Sequence, residues 1–239
     1  MTCTVEMETE RYGRRGLNLS IGVIVLYWVA FAARQLLRAR RGAVPGSVGV
    51  IALYVSVEAC VFLAAIWFLL RMSDEKLGGL GFRVGGFRSV LTYGVVPAFI
   101  VFLITNVALN SLFSKLTGES GNSPIGGLFR DPYQAPAWIF SAIVGGGFAE
   151  ELQRAFVLTR FERRFGRAGL IVAILIDCVV FGMGHLYQGR SGAIAAGLTG
   201  LMFALIFLRR RRCVDAMIAH ASFDLLGIGA AYAIYGHKG

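Results

Sequence analysis

The sequence predicts an all-α fold, a polytopic bundle of membrane-spanning helices in one integral domain. Three observations predict it. Apolar residues make up 56% of the 239 positions and charged residues 16%, where a soluble domain carries about 25% charge. The mean hydropathy is +0.65. The apolar residues also fall into runs of about 20, the length that crosses a hydrocarbon core about 30 Å thick. Together these exclude a disordered chain, a collagen-like chain and a disulfide scaffold.

Seven segments qualify as spans: Leu17–Ala33, Val48–Leu70, Val90–Leu112, Ala137–Leu158, Ala168–Leu186, Ala193–Leu208 and Cys213–Ile234. An eighth requires one of them to split or re-enter. The first three are plain apolar runs, broken by Glu58, Pro97 and Asn106, while the last four hold most of the unusual residues. The chain therefore divides into a basic tail (1–16), amino-terminal helices (17–112), an extramembrane loop (113–136) and a core (137–235). The first span follows Arg11, Arg14 and Arg15 but lacks a small-residue cleavage site, so it reads as a retained helix rather than a signal peptide.

The net charge of +10 does not imply a nucleic-acid partner. The basic residues form short clusters at the ends of apolar runs, where they set topology and meet anionic lipid. With seven spans, the side holding the amino terminus carries 15 Lys and Arg, including Arg209 to Arg212, and the opposite side carries 8. Positive residues favour the cytoplasm, so the amino terminus is expected there, in the inner membrane of a bacterium. The basic first loop (Arg34, Arg38, Arg40, Arg41) runs against that pattern. Cys3, Cys60, Cys178 and Cys213 show no paired spacing and read as packing residues.

Ionisable groups inside a span are unfavourable by about 2.5–3.5 kcal/mol each at the helix centre, so a chain that keeps several has a use for them. The fourth span carries Glu150, Glu151 and Arg154 after Gly145-Gly146-Gly147. Adjacent helical residues point about 100° apart, so the two carboxylates need not share a role. Arg154 reaches either one, at i+4 or i+3. A carboxylate paired with arginine stays ionised, whereas an unpaired one in apolar surroundings is suited to act as a general base. His185 closes the fifth span, and His220 and Asp224 share a face of the seventh at i, i+4. A single intramembrane histidine is readily a packing residue; this set is not. Glu58 and Asp177 read as internal hydrogen-bonding residues.

The runs EELQR at 150–154, FGMGH at 181–185 and HASFD at 220–224 resemble the three motifs of the CPBP intramembrane proteases. These are the CAAX prenyl protease and bacteriocin-processing relatives, among them the type II CAAX prenyl endopeptidase. The resemblance covers roughly residues 136–228, and 1–110 show only hydrophobicity. It implies a helical membrane endopeptidase in which Glu150 activates water, His185 helps bind that water, and His220 and Asp224 stabilise the oxyanion or bind a metal. Glu151 and Arg154 would support them. In the family the arginine usually falls four residues after the second glutamate, which is Ala155 here. The shift to Arg154 leaves Glu151 as an alternative base, with Glu150 favoured because Arg154 reaches Glu151 at i+3.

The residue set suits hydrolysis of a peptide bond in a membrane protein or lipidated peptide, CAAX-type processing by resemblance. Zinc needs about three protein ligands, and His185, His220 and a carboxylate from Glu150 or Asp224 would supply them, so metal assistance is open. The alternative is a catalytically silent scaffold or immunity-type protein with the same fold; a transporter would need inverted repeats, which the sequence lacks. One difficulty remains at this stage. Counted from Arg160, Arg167 and Arg212 at about 1.5 Å per residue, Glu150, His185 and His220 stand at unequal depths.

Overall fold

The computed structural model describes residues 2–40, 47–118 and 125–236, with side chains from Gly13 onward apart from Ala39, Asn110 and Ser111. Arg41, His237 and Lys238 lie outside that set, as does the side chain of Cys3. Among the described residues the regular structure is entirely helical. α1 (Thr2–Arg40) and α2 (Val48–Met72) make the first two crossings. The third, Phe87–Ala108, joins α3 (Phe87–Val90) and α4 (Val96–Phe102) through wide π-helical turns. It ends earlier than the expected Leu112, because the helix is interrupted at Leu109 and restarts as the short α5 (Asn110–Thr117). α6 (Ala135–Phe140) continues through a π-helical stretch, Ser141–Glu150, into α7 (Glu151–Gly184). α8 (Arg190–Arg210) and α9 (Cys213–Tyr235) complete the bundle.

Six helical stretches are long and apolar enough to cross a membrane, and the stretch Pro132–Gly184 has 53 residues. At 1.5 Å per residue that is about 80 Å, more than twice a bilayer core. Gly166 breaks it: its backbone sits at φ 64°, ψ −154°, a conformation open to glycine because it lacks Cβ. No neighbour would crowd a side chain there, so backbone conformation alone selects the residue. The chain folds back on itself at this point, and Arg154 of one arm meets Asp177 of the other at 2.6 Å. Among the described residues the six stretches then make about seven crossings, two of them from Pro132–Gly184. The basic stretch 159–167, expected as a loop, is helical on both sides of Gly166.

The two arms of α7 form the spine. Ile24 and Trp28 of α1 are buried against it, Trp28 with its ring 5.3 Å from that of Phe161. On the other side α8 packs so closely that a Cβ at Gly182 would stand 2.7 Å from the Ala193 carbonyl oxygen. Small residues permit such an approach, which drives helix association where lipid is as apolar as the side chains. Leu152, Phe156, Leu170, Val180, Phe207 and Met217 fill the interior between them. Conversely, Val50, Leu53, Val57 and Val61 of α2 are exposed at helical spacing, forming a stripe that faces hydrocarbon.

One face of the bundle is tied by charge. Arg160, 1% exposed, donates to both oxygens of Glu75 at 2.5 and 2.7 Å. Arg163 reaches the same carboxylate at 2.5 Å, and Arg211 pairs with Glu162 at 2.5 Å. Burial pushes the Glu75 carboxyl up, but the Arg160 and Arg163 guanidiniums outweigh it and hold the group below the usual carboxylate range.

Candidate active site

The depth difficulty arose from the reference points. Arg160 belongs to the helix and is buried, so Gly166 is the true turn. Measured from it at 1.5 Å per residue, Glu150 lies about 24 Å up one arm and His185 about 28 Å up the other. The Arg211–Glu162 pair sets the start of α9 above the level of Gly166, which raises His220 to Glu151. Motifs from three helices thus converge at one depth.

The first arm delivers the carboxylates through the π-helical Ser141–Glu150, in which Gly145, Gly146 and Gly147 are all buried. Gly146 is the point of closest approach. A Cβ there would lie 2.3 Å from Asp224 Oδ2 and 3.1 Å from His220 Nε2, so a side chain at 146 would displace the α9 residues. Wide helical turns of this kind recur at functional sites.

Glu151 and Glu150 have different surroundings. Glu151 is 1% exposed. It accepts from Arg154 Nε at 3.2 Å on both oxygens and meets His220 Nδ1 at 2.8 Å. Since a carboxylate only accepts, Nδ1–H is the donor. Arg154 completes its fork with Nη1 on Asp177 Oδ2 at 2.6 Å, and its guanidinium carbon lies 4.8 Å from the Phe181 ring centre. Glu150 stands apart from this network. Its side chain is 35% exposed and its carboxylate is 3.8 Å from His220 Nε2, beyond hydrogen-bond length.

Asp224 faces the same Nε2 at 3.7 Å. His220 stacks on Phe203 at 4.3 Å and is 3% exposed, which holds the imidazole plane. His185 caps α7 with Nδ1 2.9 Å from the Phe181 carbonyl oxygen, again as donor. The Phe181 ring packs near both histidines, 4.7 Å from His185 and 5.8 Å from His220. All six residues singled out in the sequence therefore surround one locus.

Beside it is a cavity of about 600 Å³, lined by Glu150, His185, Glu58, Tyr187, Arg34 and others from α1, α2 and α7. Tyr187 lies in the turn before α8. Its phenol is pushed up to about 12 by burial, so it stays protonated and able to donate.

Among the described residues no group of three His, Cys, Asp or Glu is positioned to hold an ion. His220 commits Nδ1 to Glu151 and His185 commits Nδ1 to a carbonyl, which leaves Nε2 as the uncommitted nitrogen of each ring. Asp177, expected only as an internal hydrogen-bonding residue, is the second partner of Arg154. The clue was available, because Arg154 precedes Gly166 by 12 residues and Asp177 follows it by 11.

Fold and site together define a polytopic helical membrane protein with a buried polar cluster opening on an intramembrane cavity. Residues 132–226 match the family model described as type II CAAX prenyl endopeptidase Rce1-like. The resemblance carried by the three motifs is thus a family match across the segment that contains them, while α1 to α5 lie outside it. No curated protein and no solved structure matches the chain.

Proposed function

We propose that this chain is an intramembrane endopeptidase that hydrolyses a peptide bond with water activated by Glu150. The single observation that carries the reading is the division between the two glutamates. Glu151 is neutralised by Arg154 and hydrogen-bonded to His220, whereas Glu150 faces the cavity with a gap to His220 Nε2. Separations of 3.8 and 3.7 Å from that nitrogen to Glu150 and Asp224 suit a bridging water. Glu150 takes a proton from this water as its oxygen attacks the carbonyl carbon. In this reading His220, as the imidazolium, and Asp224, as the neutral acid, donate to the developing oxyanion, and His185 holds the water. Glu150 then passes the proton to the departing amine nitrogen as the C–N bond breaks.

An arginine displaced from the family's usual place would favour a silent scaffold if it left the cluster unpaired. At position 154 it binds Glu151 and Asp177, so the shift gives that alternative no further support. We take the substrate to be a membrane protein or lipidated peptide, and the site of action to be a bacterial inner membrane with the amino terminus cytoplasmic. The test compares protein termini, by mass spectrometry, in cells carrying wild-type or Glu150→Ala protein at matched levels. Termini that depend on Glu150 are expected. Identical termini from two folded, inserted proteins would return the scaffold reading.

A further inference from the structure

The cavity beside Glu150 has a cationic end that hydrolysis leaves unused. Arg34 and Arg38 lie one turn apart on α1, and both line the cavity. Both guanidiniums converge on the same ring of α2, with carbons 5.1 and 5.5 Å from the centre of Tyr54. Like charges at i, i+4 repel, and although both feel the Glu58 carboxylate, no ion pair closes on either one among the described residues. The Nε of Arg34 is buried and has no hydrogen-bond partner among them. A buried donor without a partner is unfavourable, and an anion between the two forks would relieve it.

The pair also stands at the depth of the site. Asn18, near the other end of α1, bonds Arg164 at 2.8 Å, and Arg34 is 16 residues further on, about 24 Å at helical rise. That is the height of Glu150. Phe31 links the two ends of the cavity. A Cβ on Gly184, next to His185, would touch its ring at 3.2 Å, and the Arg34 guanidinium carbon lies 5.3 Å from the ring centre.

We infer that Arg34 and Arg38, bridged by Tyr54, form an oxyanion-binding subsite that takes a carboxylate of the peptide substrate and so fixes which bond reaches Glu150. The inference rests on the endopeptidase reading. Planar guanidinium forks match a carboxylate in two-point fashion. Glu150, in the same cavity, repels that anion, and Glu58, which also lines it, competes with the anion for the two guanidiniums. A few extended residues at about 3.3 Å each then cover the distance past Phe31 to His185. The carboxylate comes either from the chain terminus or from an acidic side chain.

The test uses the detergent-purified full chain carrying Glu150→Gln, so that nothing is cleaved, and three dansylated probes. These are dansyl-Leu-Val-Leu as the free acid, the same peptide as its amide, and dansyl-Leu-Val-Asp amide. At least one carboxylate probe is expected to bind tenfold or more tighter than the plain amide, and which one does so names the source. Arg34→Gln with Arg38→Gln should bring it to the amide's affinity, while Arg34→Lys with Arg38→Lys, which keeps charge without the fork, should fall between. Equal binding of all three probes, or a preference that survives the double Gln variant with an unchanged melting temperature, overturns the subsite. Displacement of the tighter probe by phosphatidylglycerol, with that lipid's own affinity lost in the Gln variant, overturns the peptide as its occupant. The endopeptidase reading fails by a different readout: a carboxylate preference alongside cellular termini that do not depend on Glu150.

Discussion

His220 Nδ1 and Glu151 Oε1 lie 2.8 Å apart across 69 residues of sequence. This hydrogen bond ties α9 to the start of α7 and fixes the imidazole so that Nε2 faces Glu150 and Asp224. In the proposed reading Glu151 is a positioning residue and Glu150 carries the chemistry.

Substitution of the two glutamates should therefore separate activity from stability. Glu150→Gln is expected to reduce cleavage below about 1% of wild type, in keeping with the 10²–10⁴-fold typical of a general base, with a melting temperature near that of wild type. Glu151→Gln should retain measurable cleavage and melt earlier. Breaking a buried ion pair leaves the partner uncompensated, by about 3–5 kcal/mol, and Arg154 keeps only Asp177. The reverse order, measured as activity and thermal unfolding in one detergent, would make Glu151 the base.

Gly146→Ala should act on the site rather than the fold. Its methyl group would fall 2.3 Å from Asp224 Oδ2, so α9 or the Asp224 side chain must move. A loss of cleavage of tenfold or more is expected, with Gly22→Ala, where nothing lies within 4 Å, as a harmless control. Wild-type activity in Gly146→Ala would show that this close approach is not needed.

The Glu75–Arg160 pair predicts a pH dependence of stability. The folded carboxyl titrates below its ordinary value, about 4.3 in an unfolded chain. Its contribution is therefore present above the unfolded value and lost as pH falls through the folded one. The melting temperature of wild type should exceed that of Glu75→Gln at pH 7, and the gap should close below about pH 4. A gap independent of pH would assign the loss to packing instead.

Chelation tests the metal question. Since His185, His220 and the carboxylates do not assemble as a three-ligand group among the described residues, cleavage should survive a membrane-permeant chelator within about twofold. Loss of activity that added zinc restores would establish the zinc-assisted version, with His185, His220 and Glu150 or Asp224 brought closer together than they stand here.

The sequence by itself determined the helical membrane fold and singled out the candidate residues that the structure brings together. Hydrocarbon length and the cost of intramembrane charge are local properties, so apolar runs betray spans, and Glu150, Glu151, Arg154, His185, His220 and Asp224 stand out against them. Gly166 was less legible. Arg160, Arg163, Arg164 and Arg167 around it looked like a loop, because charge marks the end of a span; the buried Glu75–Arg160 pair instead carries the helix to the turn. Only the tertiary structure decided which carboxylate is occupied. Arg154 reaches Glu150 and Glu151 equally well by helical spacing, and the choice was made by Asp177 and His220, partners 23 and 69 residues away. The same holds for Arg34 and Arg38, which read as loop charges until α1 set them against Tyr54. Spacing along one helix fixes which residues share a face, but the partner each one meets depends on where the other helices stand.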